Sequence, residues 1–274
     1  MSSVFKMEFF RLRKSKYTYL IMLIVLLLFF VGTILDSSQS TASTAVNEEN
    51  QNNFELYTEN YNEDYSAAYS NKCEMLVSSF EGNIVAMSIL IFTGLFAGAY
   101  HAHRFDKNII GLIGKRHRLV FVNLIICAIY SLAVICGTIV VSWIGYLLFN
   151  QNFAVIPFGN LSVMTGYLIT YYILLVCVAA LMSCFVYAIR NQILAIVLGL
   201  LYGSGIIYEF IDFAGKYLIS DTFSIKRYVP LGTLYDLSMY DQAEFVRALV
   251  IAVIFGGCAL CLSVFIQNRR DVAT

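Results

Sequence analysis

The sequence predicts an all-α integral membrane protein with six transmembrane helices and an interfacial helix in front of them. Apolar residue types make up 59% of the chain and charged types 13%, with 2 prolines and a mean hydropathy of +0.73. That composition lies outside the range of soluble globular domains. Long apolar runs recur along the chain, on the scale of the ~20 residues that cross a ~30 Å hydrocarbon core. The formal net charge is zero, yet basic clusters at 1–16, at 104–118 and at the chain end alternate with an acidic segment at 36–82. The positive-inside rule puts the basic clusters, and with them both termini, in the cytoplasm.

Residues 1–16 carry Lys6, Arg11, Arg13, Lys14 and Lys16 against the single acid Glu8, with Val4, Phe5, Phe9, Phe10 and Leu12 interleaved. This spacing predicts an amphipathic helix lying on the inner membrane surface; a basic tail that only sets orientation is the other reading. Residues 17–35 are uncharged and reach about 28 Å as a helix, enough for the first span. That run is too long for the h-region of a signal peptide. Residues 36–82 hold nine acids and one base, Lys72, and are expected outside the cell. Their first part, to Asn53, is rich in Ser, Thr, Asn and Gln and reads as irregular, whereas Tyr57, Tyr61, Tyr65, Ala68, Tyr69, Met75 and Leu76 recur at helical intervals. The acids are spread out and form no calcium loop, so a solvated face accounts for them.

The second span is expected at 83–101, the third at 119–149, the fourth at 161–189, the fifth at 192–208 and the sixth at 245–266. An external segment at 209–244 separates the last two, and Arg247 would snorkel near the outer end of the sixth span. Six of the seven cysteines fall in apolar runs and read as small hydrophobes; Cys73 is alone outside, free or paired between subunits. Gly94-Leu-Phe-Ala-Gly98 and Gly199-Leu-Leu-Tyr-Gly203 have the spacing that lets membrane helices approach closely, either within one chain or across a dimer.

No catalytic constellation emerges. Gly111-x-x-Gly114-Lys115 lacks the spacing and the hydroxyl of a P-loop. His101, His103 and His117 have no cysteine or carboxylate cluster to complete a zinc site, so no metal site is expected. There is no basic domain for nucleic acid. The spans contain no midplane carboxylate of the kind that proton- or sodium-driven carriers use, so energy for any transport would come from elsewhere.

Residues 104–118 organise the rest. They bring Arg104, Lys107, Lys115, Arg116 and Arg118 together with Ile109, Ile110, Leu112 and Ile113 just inside the membrane. A charged turn anchored to lipid phosphates would explain this composition. The run Lys107-Asn108-Ile109-Ile110, then Gly111 to Lys115 and Arg116, also resembles the cytoplasmic loop of ABC-2 type permeases of the bacitracin and lantibiotic self-protection kind. In those permeases Thr-Ile-Lys-Asn-Leu-Leu and a few small residues precede an Arg that opens the third membrane helix. Phe105-Asp106 stands where that family has Gly-Thr, and Asn123 where it often has Lys. The six-span plan, the interfacial opening helix and the Arg269-Arg270-Asp271 tail are similar to the family as well.

The resemblance implies an ABC-2, type V exporter-like architecture in a bacterial cell membrane. It implies two permeases, identical or paralogous, and two copies of an ABC ATPase that carries ATP and Mg; this chain would bind no cofactor itself. The coupling helix would comprise Lys107, Asn108, Ile109, Ile110, Gly111, Leu112, Lys115 and Arg116, and spans two and five would face the dimer axis. A route between the two permeases would then be lined by Ser88, Phe92, Leu95, Tyr202, Ile206 and Tyr208. That uncharged wall suits amphipathic or hydrophobic peptides and antibiotics better than sugars or ions. Helix-on-helix packing is the other reading of the same side chains. A non-transporting membrane receptor or assembly factor that binds through the acidic loop is the alternative function.

Overall fold

The computed structural model describes residues 2–50, 71–78, 80, 84–102, 117–150, 153, 157–189, 191–218, 224–237 and 242–269. Among them the regular structure is entirely helical. The helices are α1 (Ser2–Lys14), α2 (Lys16–Asn50), α3 (Lys72–Ser78), α4 (Ile84–Ala102), α5 (His117–Phe149) and α6 (Leu161–Ile189). They continue with α7 (Gln192–Gly203), α8 (Ile206–Leu218), a 3-10 turn (Lys226–Tyr228), α9 (Pro230–Tyr235) and α10 (Gln242–Arg269). Four helices are long and apolar enough to cross a membrane, by length and composition: Lys16–Leu35 within α2, then α5, α6, and Ala243–Arg269 within α10. Ile84–Ala99 and Gln192–Gly203 are apolar but shorter.

The surface is what makes this a membrane fold. Along α2, Thr18, Val25, Phe29 and Thr33 are buried while Tyr19, Leu20, Leu23, Leu27, Leu28 and Val31 are exposed. Both faces of the helix are therefore apolar. Val246, Val250, Val253 and Ile254 extend the same exposed apolar surface along α10. In water such a surface would be an association hazard; in a bilayer it is the solvated side.

The bundle is organised around α6, which packs against α4, α5, α7, α9 and α10. It buries large side chains along its length, from Tyr167 and Tyr171 through Leu174, Leu175 and Val178 to Met182 and Tyr187. Close approach elsewhere is made by glycine. Gly145 of α5 leaves room for the Thr33 hydroxyl of α2, and Gly137 for Leu26. The two glycine pairs expected to mediate either chain packing or a dimer are used inside the chain. A Cβ on Gly94 would come 2.7 Å from Ile196 of α7 and 2.8 Å from Met182 of α6. One on Gly98 would strike Gln192, one on Gly199 Met182, and one on Gly203 Leu90. The α4–α7 contact thus uses glycines of both motifs, the packing within one chain that was one of the two readings.

Two expectations about the elements change. The segment after the first span was expected to be irregular, but α2 stays helical to Asn50. The Ser37 hydroxyl donates to the Thr33 carbonyl at 2.7 Å, and no proline or glycine interrupts residues 33–50. The fifth span was expected at 192–208, but the helix stops at Gly203 and the chain turns at Gly205, whose φ is 84°. Glycine holds that left-handed conformation at little steric cost, and α8 departs in a new direction. At about 18 Å, α7 alone is shorter than the hydrocarbon core. Cys73, expected to be free or paired between subunits, is a free thiol on the buried side of α3.

Candidate functional site

At one end of the bundle, α1 packs against α5 and reaches α4 through Arg11. Glu8 is 1% exposed, and its Oε2 lies 3.2 Å from Arg11 Nη1, one helical turn on. The Arg11 guanidinium sits over the Phe96 ring, 4.1 Å from its centroid, and its Nη2 donates to the Phe96 carbonyl of α4. Phe96 lies in the last two turns of α4, where a cation also meets the negative end of the helix dipole.

Polar groups continue inward from this pair. The Thr93 hydroxyl donates to Cys127 Sγ of α5, and Asn123 Nδ2 donates to the Ser183 hydroxyl of α6 at 3.3 Å. Ser183 in turn donates to the Ala179 carbonyl, and Tyr187, fully buried, lies among Asn123, Cys127, Arg11 and Glu8. Separate polar contacts therefore join α1 to α4, α4 to α5 and α5 to α6 at this end. Polar groups are costly to bury in an apolar interior, and the contacts that these make hold neighbouring helix ends together; the Glu8 carboxylate is balanced by the Arg11 charge and accepts no hydrogen bond from the described residues.

These contacts were not foreseen from the sequence. Glu8 reads there as a countercharge on a basic helix. The signals available were its being the only acid in residues 1–16 and its i,i+3 spacing to Arg11. Asn123, noted as the position where the resembling family often has Lys, turns out to face Ser183.

The expected coupling residues Lys107, Asn108, Ile109, Ile110, Gly111, Leu112, Lys115 and Arg116 lie outside the described residues. Of the six expected route residues, the five whose side chains are described do not share one surface within the chain. Ser88 is buried and donates to the Val85 carbonyl. Phe92 is buried between two rings, stacked on Tyr130 at 3.7 Å and on Phe96 at 5.5 Å. Leu95 is half-buried, and its carbonyl accepts from Gln192 Nε2. Tyr202 is half-buried against the core near the end of α7, and Ile206 is 57% exposed at the start of α8. The Tyr208 side chain lies outside the described residues.

The opposite end carries α8, the 3-10 turn and α9. The Asn191 side chain caps the start of α7 at the basic end, while at the far end the Tyr235 hydroxyl of α9 donates to the Gly203 carbonyl at 2.6 Å. Asp212 of α8 accepts from the Ile225 amide and from the Ser224 hydroxyl, and Lys226 pairs with Asp236 at 2.7 Å. Those contacts hold the polar side of α8 and leave Phe210, Phe213 and Tyr217 exposed. Arg247, near the start of α10, donates to Glu244 at 3.2 Å. Among the described residues no three metal-ligating side chains come together. No family model matches this chain, and no curated protein is found to be similar to it.

Proposed function

We propose that the chain is the membrane subunit of an ATP-driven ABC exporter, working with a second permease and two ATPase subunits to move amphipathic or hydrophobic peptides or antibiotics out of a bacterial cell. The observation that carries this reading is the set of buried polar contacts at the basic end. Arg11 holds α4 just before the basic segment 103–116, and Asn123 ties α5 to α6 just after it. A partner pressing on that segment would act on two anchored helix ends, so its movement would reach α6 and the whole bundle. Such anchoring is what a coupling helix needs and what a lipid-anchored turn does not.

A second support is the chemistry of the interior. The long helices offer hydroxyls, aromatic rings and thiols; the buried carboxylate, Glu8, is already paired with Arg11 at one end. A power source outside the bundle fits that interior better than ion coupling does. Of the residues assigned to a route, Leu95, Tyr202 and Ile206 keep open or partly open surface, so a cargo path between two permeases would run past α4 and the α7–α8 junction.

The receptor or assembly-factor reading draws on one observation, the continuation of α2 to Asn50, which gives the acidic segment a rigid base for binding. Purification of the chain from its native membrane separates the two. An associated ATPase whose hydrolysis rises with amphipathic peptides supports the exporter. A chain without ATPase that still binds a ligand through residues 36–82 supports the receptor.

A further inference from the structure

Beside α3, two aromatic rings face one ammonium and two more pack behind them. Lys72 opens α3, and its Nζ lies over two rings at once, 4.8 Å from the Phe158 centroid and 5.4 Å from that of Phe153. Trp143 stacks on Phe158 at 5.6 Å and meets Phe153 edge-on at 5.4 Å, while Tyr146 stacks behind Phe153 at 5.7 Å. Phe153 and Tyr146 are buried, so the floor of this corner is fixed; Phe158 is 56% exposed, so one wall faces outward. The backbone holds the ammonium in register. The Lys72 amide donates to the Pro157 carbonyl at 3.0 Å, and Gly159 lacks the Cβ that would collide with the Asn71 side chain.

Two ring faces set around one ammonium, supported by a third and a fourth ring, form the arrangement by which proteins recognise alkylammonium groups. Apolar packing alone would not need the rings aimed at a charge. We propose that the Trp143–Phe153–Phe158 corner is a binding site for alkylammonium groups, with the Lys72 side chain as its built-in occupant. The ligand class is a cationic amphiphile presenting a methylated or primary ammonium, dissolved or borne on a lipid head group. The acidic segment 36–82, in which Lys72 is the single base, would raise the local concentration of such cations. Since Lys72 competes for the same ring faces, a ligand binds the intact chain weakly and a chain lacking that ammonium more tightly. The inference concerns the α3–α5 corner alone and stands whether or not the chain is a transporter.

Trp143 is the only tryptophan of the chain, so its emission reports on this corner. The full chain is placed in nanodiscs of phosphatidylglycerol and titrated with tetramethylammonium chloride, with sodium chloride as the matched control. The expected result is a saturable change in Trp143 emission, at roughly tenfold lower concentration in Lys72→Ala than in the wild type. Phe158→Ala, at an exposed position, is expected to abolish the change with Lys72 in place, so the comparison holds even if Lys72→Ala folds poorly. Repeating the measurement in phosphatidylcholine nanodiscs distinguishes the sources. A lipid-borne ligand shifts the Lys72→Ala spectrum before any titrant is added, whereas a dissolved one leaves that spectrum unchanged and retains the titration. The proposal is overturned if sodium chloride gives the same change, if Phe158→Ala responds like the wild type, or if no variant responds in either lipid.

Discussion

Arg11 of the first helix and Phe96 of α4, 85 positions apart in sequence, meet through both a ring face and a carbonyl, with the guanidinium carbon 4.1 Å from the ring centroid. The same guanidinium holds the buried carboxylate of Glu8. Arg11→Ala would leave that carboxylate buried without its partner, at a cost of about 2 to 4 kcal/mol. Arg11→Lys should recover only part of this, because a single ammonium cannot serve Glu8, the carbonyl and the ring face in the same geometry. Thermal unfolding in detergent should rank wild type above Arg11→Lys above Arg11→Ala. A melting temperature unchanged in Arg11→Ala would show that α1 is merely resting on the bundle.

The packing of α7 against α4 and α6 depends on absent side chains. Gly199→Leu would push into the Met182 thioether, where even a Cβ would lie 2.6 Å from the sulfur. Overpacking of this kind costs about 1 to 3 kcal/mol. The expected result is a lower melting temperature with the oligomeric state unchanged, read by unfolding and by size-exclusion chromatography with light scattering. A loss of dimer with unchanged monomer stability would return these glycines to a subunit interface.

The turn between α7 and α8 rests on Gly205 at φ 84°. Any L-residue pays about 1 to 2 kcal/mol in that region, so Gly205→Ala should destabilise by roughly that amount. It should also favour a straighter chain, bringing α8 toward line with α7. Spin labels on Leu198 and Phe210, both exposed, would report the change as a longer distance. An unaltered distance and stability would mean that the turn is set by the Asp212 and Tyr235 contacts instead.

These results divide along physical lines. The run at 161–189 becomes α6 with those bounds, and 119–149 becomes α5 with two further residues at its start, because an uninterrupted apolar stretch of span length has one stable form in a bilayer. The break at Gly205 was not legible, since a glycine within an apolar run leaves its hydropathy unchanged. Nor was the helical continuation to Asn50, because Ser, Thr and Asn weigh toward loops, and here the Ser37 hydroxyl bonds back to its own helix. Glu8 and Arg11 were visible as charges, but burial of a charge depends on what lies above it, and Phe96 and Asn123 come from distant parts of the chain. The route residues show the same limit. Phe92 reads equally well as lining or as core, and its stacking on Tyr130 makes it core.

The central claim, that residues 107–116 form the coupling helix of an exporter, rests on a segment whose apolar residues would insert into a partner. Ile110→Asp places a carboxylate in that contact, and burying it without a partner would cost several kcal/mol. The direct measurement is copurification of the ATPase with the Ile110→Asp chain, together with the ATP hydrolysis of the recovered complex. The account predicts a chain that inserts and folds as the wild type does but has lost the ATPase; a mutant that retains the ATPase and hydrolyses ATP at the wild-type rate would contradict it.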